Sequence, residues 1–307
     1  MSGVPQSQSV AASSRVAAAH KSRTVFDHVR DGWQALRGRV VFLFESKTAV
    51  VGLAIVVFWI AVTILAPVLA PYPPNALTGR VSESPSMEHL MGTDYMGRDV
   101  CSRLVYGGQT ILLLAPICVV CAEIIGATVG LTAGFLRGMV DEVILRILDA
   151  IMAFPMMLLY MIIMAATGPS KINIVGVIAF SSTPGVARLM RGLVLEIRDL
   201  EFVQAARLRG ESALYIMFRE ILPNCLGPLI VDACLRVGYT SFWIGSLGFL
   251  GIGVPPPDPD WGRMVSEGRA WILTAPWIVV CPSLAVSSLV IGLNLLADGI
   301  SEASKRV

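Results

Sequence analysis

The segment Glu201–Asn224, EFVQAARLRGESALYIMFREILPN, is the longest strongly polar stretch between two apolar stretches in the second half of the chain. Its first part consists of good helix formers, and Gly210 suits a left-handed helix C-cap. Ser212 is a suitable N-cap for a second helix that reaches Leu222, and Pro223 stops that helix and begins the next segment. The segment therefore predicts two short helices joined at Gly210, either as a docking surface or as an ordinary interhelical loop.

The composition of the rest of the chain predicts a membrane protein. Of 307 residues, 55% are hydrophobic and 15% are charged, and the mean hydropathy is +0.70. A soluble domain carries about 25% charged residues. The apolar stretches are long enough to cross a bilayer as helices, so the predicted fold class is all-α, a polytopic membrane protein with about six transmembrane helices.

Six spans follow from the apolar stretches. The fourth is the weakest, because Ser181, Ser182, Thr183, Pro184 and Gly185 interrupt it, and we expect a kink there. The predicted spans are Thr48–Ala70, Gln109–Gly134, Ile144–Thr167, Ile172–Met190, Cys225–Leu250 and Pro276–Gly299.

Two N-terminal segments precede the spans. Residues 1–26 contain no acidic residue and no apolar core of signal-peptide length, which favours a disordered cytoplasmic tail over a transit peptide. Within residues 27–47, apolar residues recur every three to four positions with arginines between them, which predicts an amphipathic helix along the membrane surface. Residues 48–307 form the predicted transmembrane domain.

Lysine and arginine predict the orientation. With both termini inside, 17 of these residues fall in inner segments and 6 in outer ones. Cytoplasmic segments carry the excess of positive residues. The polar segment 201–224 is therefore predicted to be cytoplasmic.

No catalytic residue, cofactor or metal site is expected on this chain. The six cysteines form no disulfide pattern, and Cys118 and Cys121, though spaced as C-x-x-C, lie in an apolar span where a small apolar role is expected. The three histidines make no constellation. No Gly-Lys-Ser/Thr phosphate loop occurs, so ATP hydrolysis through that fold is excluded. No feature indicates a nucleic-acid partner.

The segment 201–224 resembles the cytoplasmic "EAA" loop of binding-protein-dependent ABC importer permeases. In that family the loop inserts into a groove on the ATPase subunit. Gln204 and Glu220 depart from the usual residues. The resemblance implies that Gly210 sets the angle between the two helices and that Ala205 and Ala206 permit close approach to the groove. The residues assigned to this role are Glu201, Gln204, Ala205, Ala206, Gly210, Leu222, Pro223 and Asn224.

A second motif lies before the second span, from His89 to Arg103. It resembles the H-x-x-G-T-D-x-x-G-R-D signature on the outer side of C-type permeases in the dipeptide, oligopeptide and nickel importer family. The same residues also suit a rigid, turn-rich loop, and both roles are compatible if the loop meets the binding protein or a partner permease. The assigned residues are Gly92, Thr93, Asp94, Gly97, Arg98 and Asp99.

Further matches extend the resemblance over about residues 89–300. They include Val140-Asp141 with Arg146 and Asp149, then Ala153-Phe154-Pro155, Ala187-Arg188 with Arg191-Gly192, Leu247–Pro256 and Leu293–Gly299. The resemblance implies an ABC importer type I permease fold in a bacterial inner membrane. It also implies a second homologous permease, two cytoplasmic ATPase subunits that bind ATP and Mg²⁺, and an external solute-binding protein.

Polar residues inside the spans need partners. Asp232 and Arg236 are four residues apart, on one face of the fifth span, where they can form an ion pair. Two interpretations stay open: they line the translocation pathway, or they stabilise the contact with the second permease. Glu123 and Asn294 are assigned interhelical hydrogen bonds.

Alternatives to the ABC importer are an ion-coupled secondary transporter or channel and a membrane scaffold. The first class often shows repeated halves and an acidic relay, but no internal repeat is evident and Asp232 is partnered by Arg236. A scaffold does not explain a polar pathway. Peptide is the expected substrate, and nickel or another small solute is the alternative.

Overall fold

The computed structural model describes residues 46–305, so the predicted tail and residues 27–45 of the predicted amphipathic helix lie outside the described part of the chain. The described residues form helices and no strand, apart from two isolated bridges. The helices are α1 Lys47–Ile64, α2 Ala66–Leu69, α3 Val100–Leu136, α4 Gly138–Met152, α5 Met156–Thr167, α6 Lys171–Ile197, α7 Glu201–Leu208, α8 Ala213–Tyr215, α9 Leu222–Phe249, α10 Trp261–Gly268 and α11 Trp277–Lys305. A π-helical segment, Ile216–Ile221, joins α8 to α9, and a 3₁₀ turn, Arg269–Trp271, follows α10.

Within residues 46–305, five helices are long and apolar enough to cross a membrane, and α4 and α5 make a sixth span if the bent pair is counted as one. The predicted all-α fold with about six spans is confirmed. The loop between α1 and α3 and the loop around α10 lie at one end of the bundle, which we call the α10 end. The segment 201–224 lies at the other.

The predicted third span, Ile144–Thr167, is not one continuous helix. It divides into α4 and α5, which meet at 86°. The break falls at Ala153, Phe154 and Pro155, because proline has no N–H to donate and disfavours helical geometry at the residue before it. The continuity of this span was therefore wrongly predicted, although its apolar content was correct.

Pro223 does not stop a helix, contrary to the prediction. The chain is helical without interruption from Ala213 to Phe249. The π-helical segment Ile216–Ile221 lies directly before the proline, and the Leu222 N–H donates to the Met217 carbonyl, five residues back. This wider turn accommodates Pro223, whose ring would clash with the carbonyl four residues back in a regular α-helix.

Two other span boundaries differ from the prediction. The helix α3 starts at Val100, nine residues before the predicted Gln109, because the Asp99 carboxylate caps it by accepting from the Ser102 N–H. The helix α6 continues from Lys171 to Ile197, past the predicted end, and runs unbroken through the polar stretch. Inside that stretch the Thr183 hydroxyl donates to a carbonyl of its own helix.

Three glycines in the second half of α3 allow close packing against α6. Gly126, Gly130 and Gly134 recur at every fourth position of α3 and face α6. A Cβ at Gly126 would lie 2.5 Å from the Val186 Cβ, and one at Gly134 would lie 2.8 Å from the Val194 Cβ. Small residues at this spacing let two membrane helices approach closely. The α3–α6 pair is therefore the framework against which the 201–224 segment packs.

Candidate functional site

The 201–224 loop, which comprises α7, α8, the π-helical segment and the first three residues of α9, has one face turned into the protein. Its buried side chains belong to a hydrophobic cluster that includes residues of α3 and α6. The loop contributes Val203, Ala206, Ile216, Met217 and Ile221, and the two spans contribute Leu131, Val186, Met190 and Val194. Burial of this face ties the loop to the α3–α6 pair.

The opposite face of the same loop is exposed and partly apolar. Leu208 is 90% exposed and Leu214 is 67% exposed. Phe202, Tyr215 and Phe218 are exposed as well. Exposed apolar groups grouped in this way indicate an interaction surface.

The two alanines of the motif fall on different faces. Ala205 is exposed, whereas Ala206 is fully buried in the hydrophobic cluster. The expectation that both alanines permit approach to a partner therefore does not fit Ala206, which packs the loop against its own protein. Only Ala205 is available to an external surface.

Gly210 and Ser212 form the corner between the two helices as predicted. Gly210 has φ +78°, a left-handed conformation in which glycine is favoured. A Cβ there would have no heavy atom within 4 Å, so the requirement for glycine is conformational rather than steric. The Ser212 hydroxyl accepts from the Tyr215 N–H at 3.3 Å and caps the second helix.

The residues that depart from the family motif have local partners. The Gln204 amide donates to the Asp199 carbonyl at 2.9 Å, which a glutamate in this position could not do. Glu220 lies 3.5 Å from the Arg209 guanidinium and so links the second helix to the end of the first. The Asn224 amide donates to the Glu220 carbonyl at 2.7 Å.

Arginines in the last turns of α6 and directly after it, just before the 201–224 loop, fasten this end of α6 to α3 and α4. Arg198 donates to the carbonyls of Gly134 and Phe135, at 3.0 and 2.8 Å, and so caps the end of α3. Arg191 of α6 holds Asp141 of α4 through two hydrogen bonds of 2.6 Å. These contacts join motif segments that are separate in sequence, as does the ion pair of Arg188 with Asp149.

The 77–103 loop at the α10 end directs its motif residues inward. Asp94 is 4% exposed; it accepts from the backbone N–H groups of Met96 and Arg98 and pairs with the Arg98 side chain at 2.6 Å. Thr93 is fully buried, and its hydroxyl donates to the Arg80 carbonyl at 2.6 Å. These side chains hold the loop together rather than facing solvent.

Asp99 and the two motif glycines complete this framework. The Asp99 carboxylate contacts His89 Nδ1 at 2.9 Å and accepts from Ser102. Gly92 and Gly97 have φ of +72° and +81°. A Cβ at Gly92 would lie 2.5 Å from the Glu83 carbonyl oxygen, so this position excludes any side chain.

Charged residues connect the 77–103 loop to α10. Arg98 contacts Glu267 at 3.1 Å, and Arg263 contacts the same carboxylate at 2.7 Å. Although burial acts in the opposite direction, Arg263 and Arg98 hold the pKa of Glu267 below its usual value. Asp260 caps α10, and its burial raises its pKa to about 6. The α10 end is therefore one hydrogen-bonded unit.

A cluster of three charged side chains lies within the spans. Asp232 and Arg236 form the predicted ion pair in α9, and Arg236 Nε lies 3.8 Å from Glu123 in α3. The Glu123 oxygens are buried without a hydrogen-bond donor among the described residues. The interhelical hydrogen bond assigned to Glu123 is therefore absent here, and the Asn294 amide donates within its own helix, to the Val290 carbonyl.

Two features of α3 are not among the predictions from the sequence: its close packing on α6 through glycines, and the arginine that caps its end. The repeat Gly126, Gly130, Gly134 was a usable signal, because small residues at every fourth position mark close helix packing. The contact of Arg198 with the α3 carbonyls left no signal, since it depends on how the two helix ends meet. Among the described residues, the cysteines are all free and no group of His, Cys, Asp or Glu could hold a metal ion.

Comparisons with known proteins agree with this architecture. The family described as binding-protein-dependent transport system inner membrane component matches residues 126–306. The N-terminal TM domain of oligopeptide transport permease C matches residues 40–88. Among solved structures, a chain of the MetNI methionine ABC transporter, in inward-facing conformations, matches with a TM-score of 0.53 at 16% identity, covering 66% of this chain and 95% of that chain, which supports the fold alone.

Curated relatives are similar over most of their length. A dipeptide transport system permease protein, DppC, of Alkalihalophilus pseudofirmus is 40% identical over 85% of this chain and 86% of its own. A glutathione transport system permease protein, GsiD, of Pectobacterium atrosepticum is 36% identical over 90% and 91%. A probable D,D-dipeptide transport system permease protein, DdpC, of Escherichia coli is 38% identical over 86% and 89%. The chain thus belongs to the family of binding-protein-dependent transport system inner membrane components, as a C-type permease subunit of an ABC importer.

Proposed function

We propose that this permease imports peptides, with the 201–224 loop docked on a cytoplasmic ATPase subunit. Three of the relatives described above are named for dipeptide, glutathione and D,D-dipeptide transport. A nickel complex or another small solute is the alternative substrate.

The observation that carries the coupling role is the division of the 201–224 loop into two faces. The inner face packs on α3 and α6, so a force on the loop reaches two spans directly. The outer face presents Leu208, Leu214 and Phe218 to a partner. A loop that served only as a connection would not combine a buried anchor with exposed apolar side chains.

Partners and orientation belong to the same proposal. Both termini and the 201–224 loop lie in the cytoplasm, as the distribution of Lys and Arg predicts. A second homologous permease completes the pathway, and an external solute-binding protein delivers substrate at the α10 end. Two ATPase subunits bind ATP and Mg²⁺, and this chain does no covalent chemistry.

In this mechanism closure of the ATPase dimer moves the docked loop together with the α3–α6 pair. The change is a rigid-body switch between two states that nucleotide biases. Asp232 and Arg236, with Glu123 beside them, lie where such a movement would alter the pathway. Their partial exposure, 22% for each of the Asp232 and Arg236 side chains, supports access by water or substrate.

The test of the coupling role compares two leucines at opposite ends of the bundle. Leu208→Asp places a charge on the exposed face of the 201–224 loop, and Leu273→Asp does so at the α10 end, where Leu273 is 95% exposed. We expect detergent-solubilised complexes with Leu208→Asp to retain less than a tenth of the ATPase subunit, and those with Leu273→Asp to retain all of it. Equal retention by both variants would refute docking through this face.

The transport class is tested in proteoliposomes that contain the complete complex. Uptake of labelled dipeptide should require ATP on the side of the membrane that carries the ATPase subunits. It should also require the solute-binding protein on the opposite side. Uptake that persists without ATP and collapses with an ionophore would identify an ion-coupled transporter instead. Uptake of nickel in place of dipeptide would exclude the peptide assignment and leave the ATPase coupling intact.

A further inference from the structure

A groove runs along one side of the bundle between α1, α3, α9 and α11. Its volume is about 620 Å³, and its lining is almost wholly apolar. The side chains along it include Val56, Ile60, Ile64, Leu112, Val237 and Leu293. Ile60 and Ile64 are 41% and 71% exposed, so the groove is open along its length on the side of α1.

A smaller cavity with both polar and apolar lining, which we call the mouth, adjoins the groove at the α10 end. Its volume is about 320 Å³. Its lining includes Asn75, Tyr106, Lys171 and Asp258. Lys171 and Asp258 form an ion pair with an N–O distance of 2.6 Å, and each of these two side chains is about half exposed. Gln109 and Leu113 line both the mouth and the groove, so the two cavities lie side by side along α3.

The dimensions match one leaflet of a bilayer. From Val56 to Ile64 the groove follows α1 for about 12 Å at 1.5 Å per residue. One leaflet contributes roughly 15 Å of hydrocarbon. Since α1 begins at Lys47, near the opposite end of the bundle, the groove occupies the leaflet on the α10 side and the mouth lies at its headgroup level.

We propose that the mouth and the groove together bind one zwitterionic glycerophospholipid. Its phosphate faces Lys171, its ammonium faces Asp258, and an acyl chain fills the groove. The exposed Lys171–Asp258 pair contributes little stability by itself, so exchange for the opposite charges of a headgroup costs little. The apolar lining beneath the mouth favours a lipid over a peptide, whose backbone amides would find no partners there.

The proposed site selects a headgroup that carries an ammonium. An anionic headgroup without a positive group would pair with Lys171 but would be repelled by Asp258. A phosphoethanolamine headgroup offers both charges and N–H donors. This inference does not depend on which solute the permease transports.

The test is native mass spectrometry of the intact importer complex, reconstituted in vesicles of equal parts phosphatidylethanolamine and phosphatidylglycerol with identical acyl chains. We expect the wild-type complex to retain phosphatidylethanolamine in preference to phosphatidylglycerol. The double variant Lys171→Gln, Asp258→Asn should lose that preference by fivefold or more. Ile60→Trp, which fills the groove, should lower retention of both lipids.

The control is the exposed ion pair of Glu142 with Arg146, at the other end of the bundle. Its double variant Glu142→Gln, Arg146→Gln should leave lipid retention unchanged. Unchanged retention in the Lys171/Asp258 and Ile60 variants would overturn the proposal. So would displacement of the lipid by a dipeptide, which would make the mouth a solute site, or a cross-link from Ile60→Cys to the second permease, which would show that protein covers the groove.

Discussion

The 77–103 loop and the 201–224 loop are both motif-bearing segments, yet they use their motif residues in opposite ways. In the 77–103 loop Thr93, Asp94 and Asp99 are buried and bond within the protein. In the 201–224 loop the motif residues Gln204 and Ala205 are exposed, and so is Leu208 between the motif positions. The first motif therefore maintains a shape, whereas the second combines a buried anchor with an outward surface, and a motif match alone does not distinguish these roles.

The largest effect on the 77–103 loop is expected from a side chain at Gly92. Gly92→Ala introduces a strained φ and overlaps the Glu83 carbonyl, so we expect a loss of about 4 kcal/mol in the free energy of unfolding. Gly79→Ala is the control, since Gly79 also has positive φ but has free space around it. It should cost only about 1–2 kcal/mol. Thermal unfolding followed by tryptophan fluorescence measures both, and equal losses would show that close packing at Gly92 is unimportant.

Burial of Asp260 at the α10 end makes the stability of the protein depend on pH. The folded pKa of about 6 exceeds the usual 3.8, so between these values the unfolded chain has released a proton that the folded chain retains. The contribution of Asp260 to stability is thus complete below pH 4 and is lost as pH rises through 6, by roughly 3 kcal/mol. Asp260→Asn removes this loss and keeps a helix cap.

The measurement for Asp260 is the apparent melting temperature of both proteins from pH 4 to pH 8. The difference between Asp260→Asn and the wild type should grow in favour of the variant up to about pH 6 and then stay constant. Melting curves that change in parallel with pH would show that Asp260 titrates near its usual pKa.

Substitutions at two adjacent alanines, Ala205 and Ala206, test the exposed and the buried face of the 201–224 loop separately. Ala206→Leu overfills the hydrophobic cluster and should cost roughly 2 kcal/mol in stability. Ala205→Leu, on the exposed face, should leave the melting temperature unchanged and weaken retention of the ATPase subunit. The opposite pattern, with Ala205→Leu destabilising the protein, would mean that the faces are assigned the wrong way round.

The smallest effect is expected at Glu220. Its pair with Arg209 is 3.5 Å long and half exposed on the arginine side, so Glu220→Gln should change stability by less than about 1 kcal/mol. ATP-dependent uptake should fall by less than twofold. A loss of uptake as large as that of Leu208→Asp would place Glu220 in direct contact with the ATPase.

Local sequence signals predicted the local structure well where one residue type decides it. Gly210 and Ser212 form the predicted corner because φ +78° favours glycine and a hydroxyl caps a helix. The same kind of reasoning failed at Pro223. A proline ends a regular helix, but here a π-helical turn before it keeps the helix intact, and the choice between these outcomes depends on packing of the flanking residues.

The class of the protein, the number of its apolar spans and the positions of the two motifs could all be predicted from the order of the amino acids. These follow from hydropathy and from residue types with strong conformational preferences, which act over a few residues at a time. Three features depend on tertiary packing: which motif side chains are buried, the approach of Glu123 to Arg236, and the position of the mouth beside the groove. Those facts depend on distances between helices far apart in sequence, and such distances are set by packing of the whole bundle rather than by any local preference.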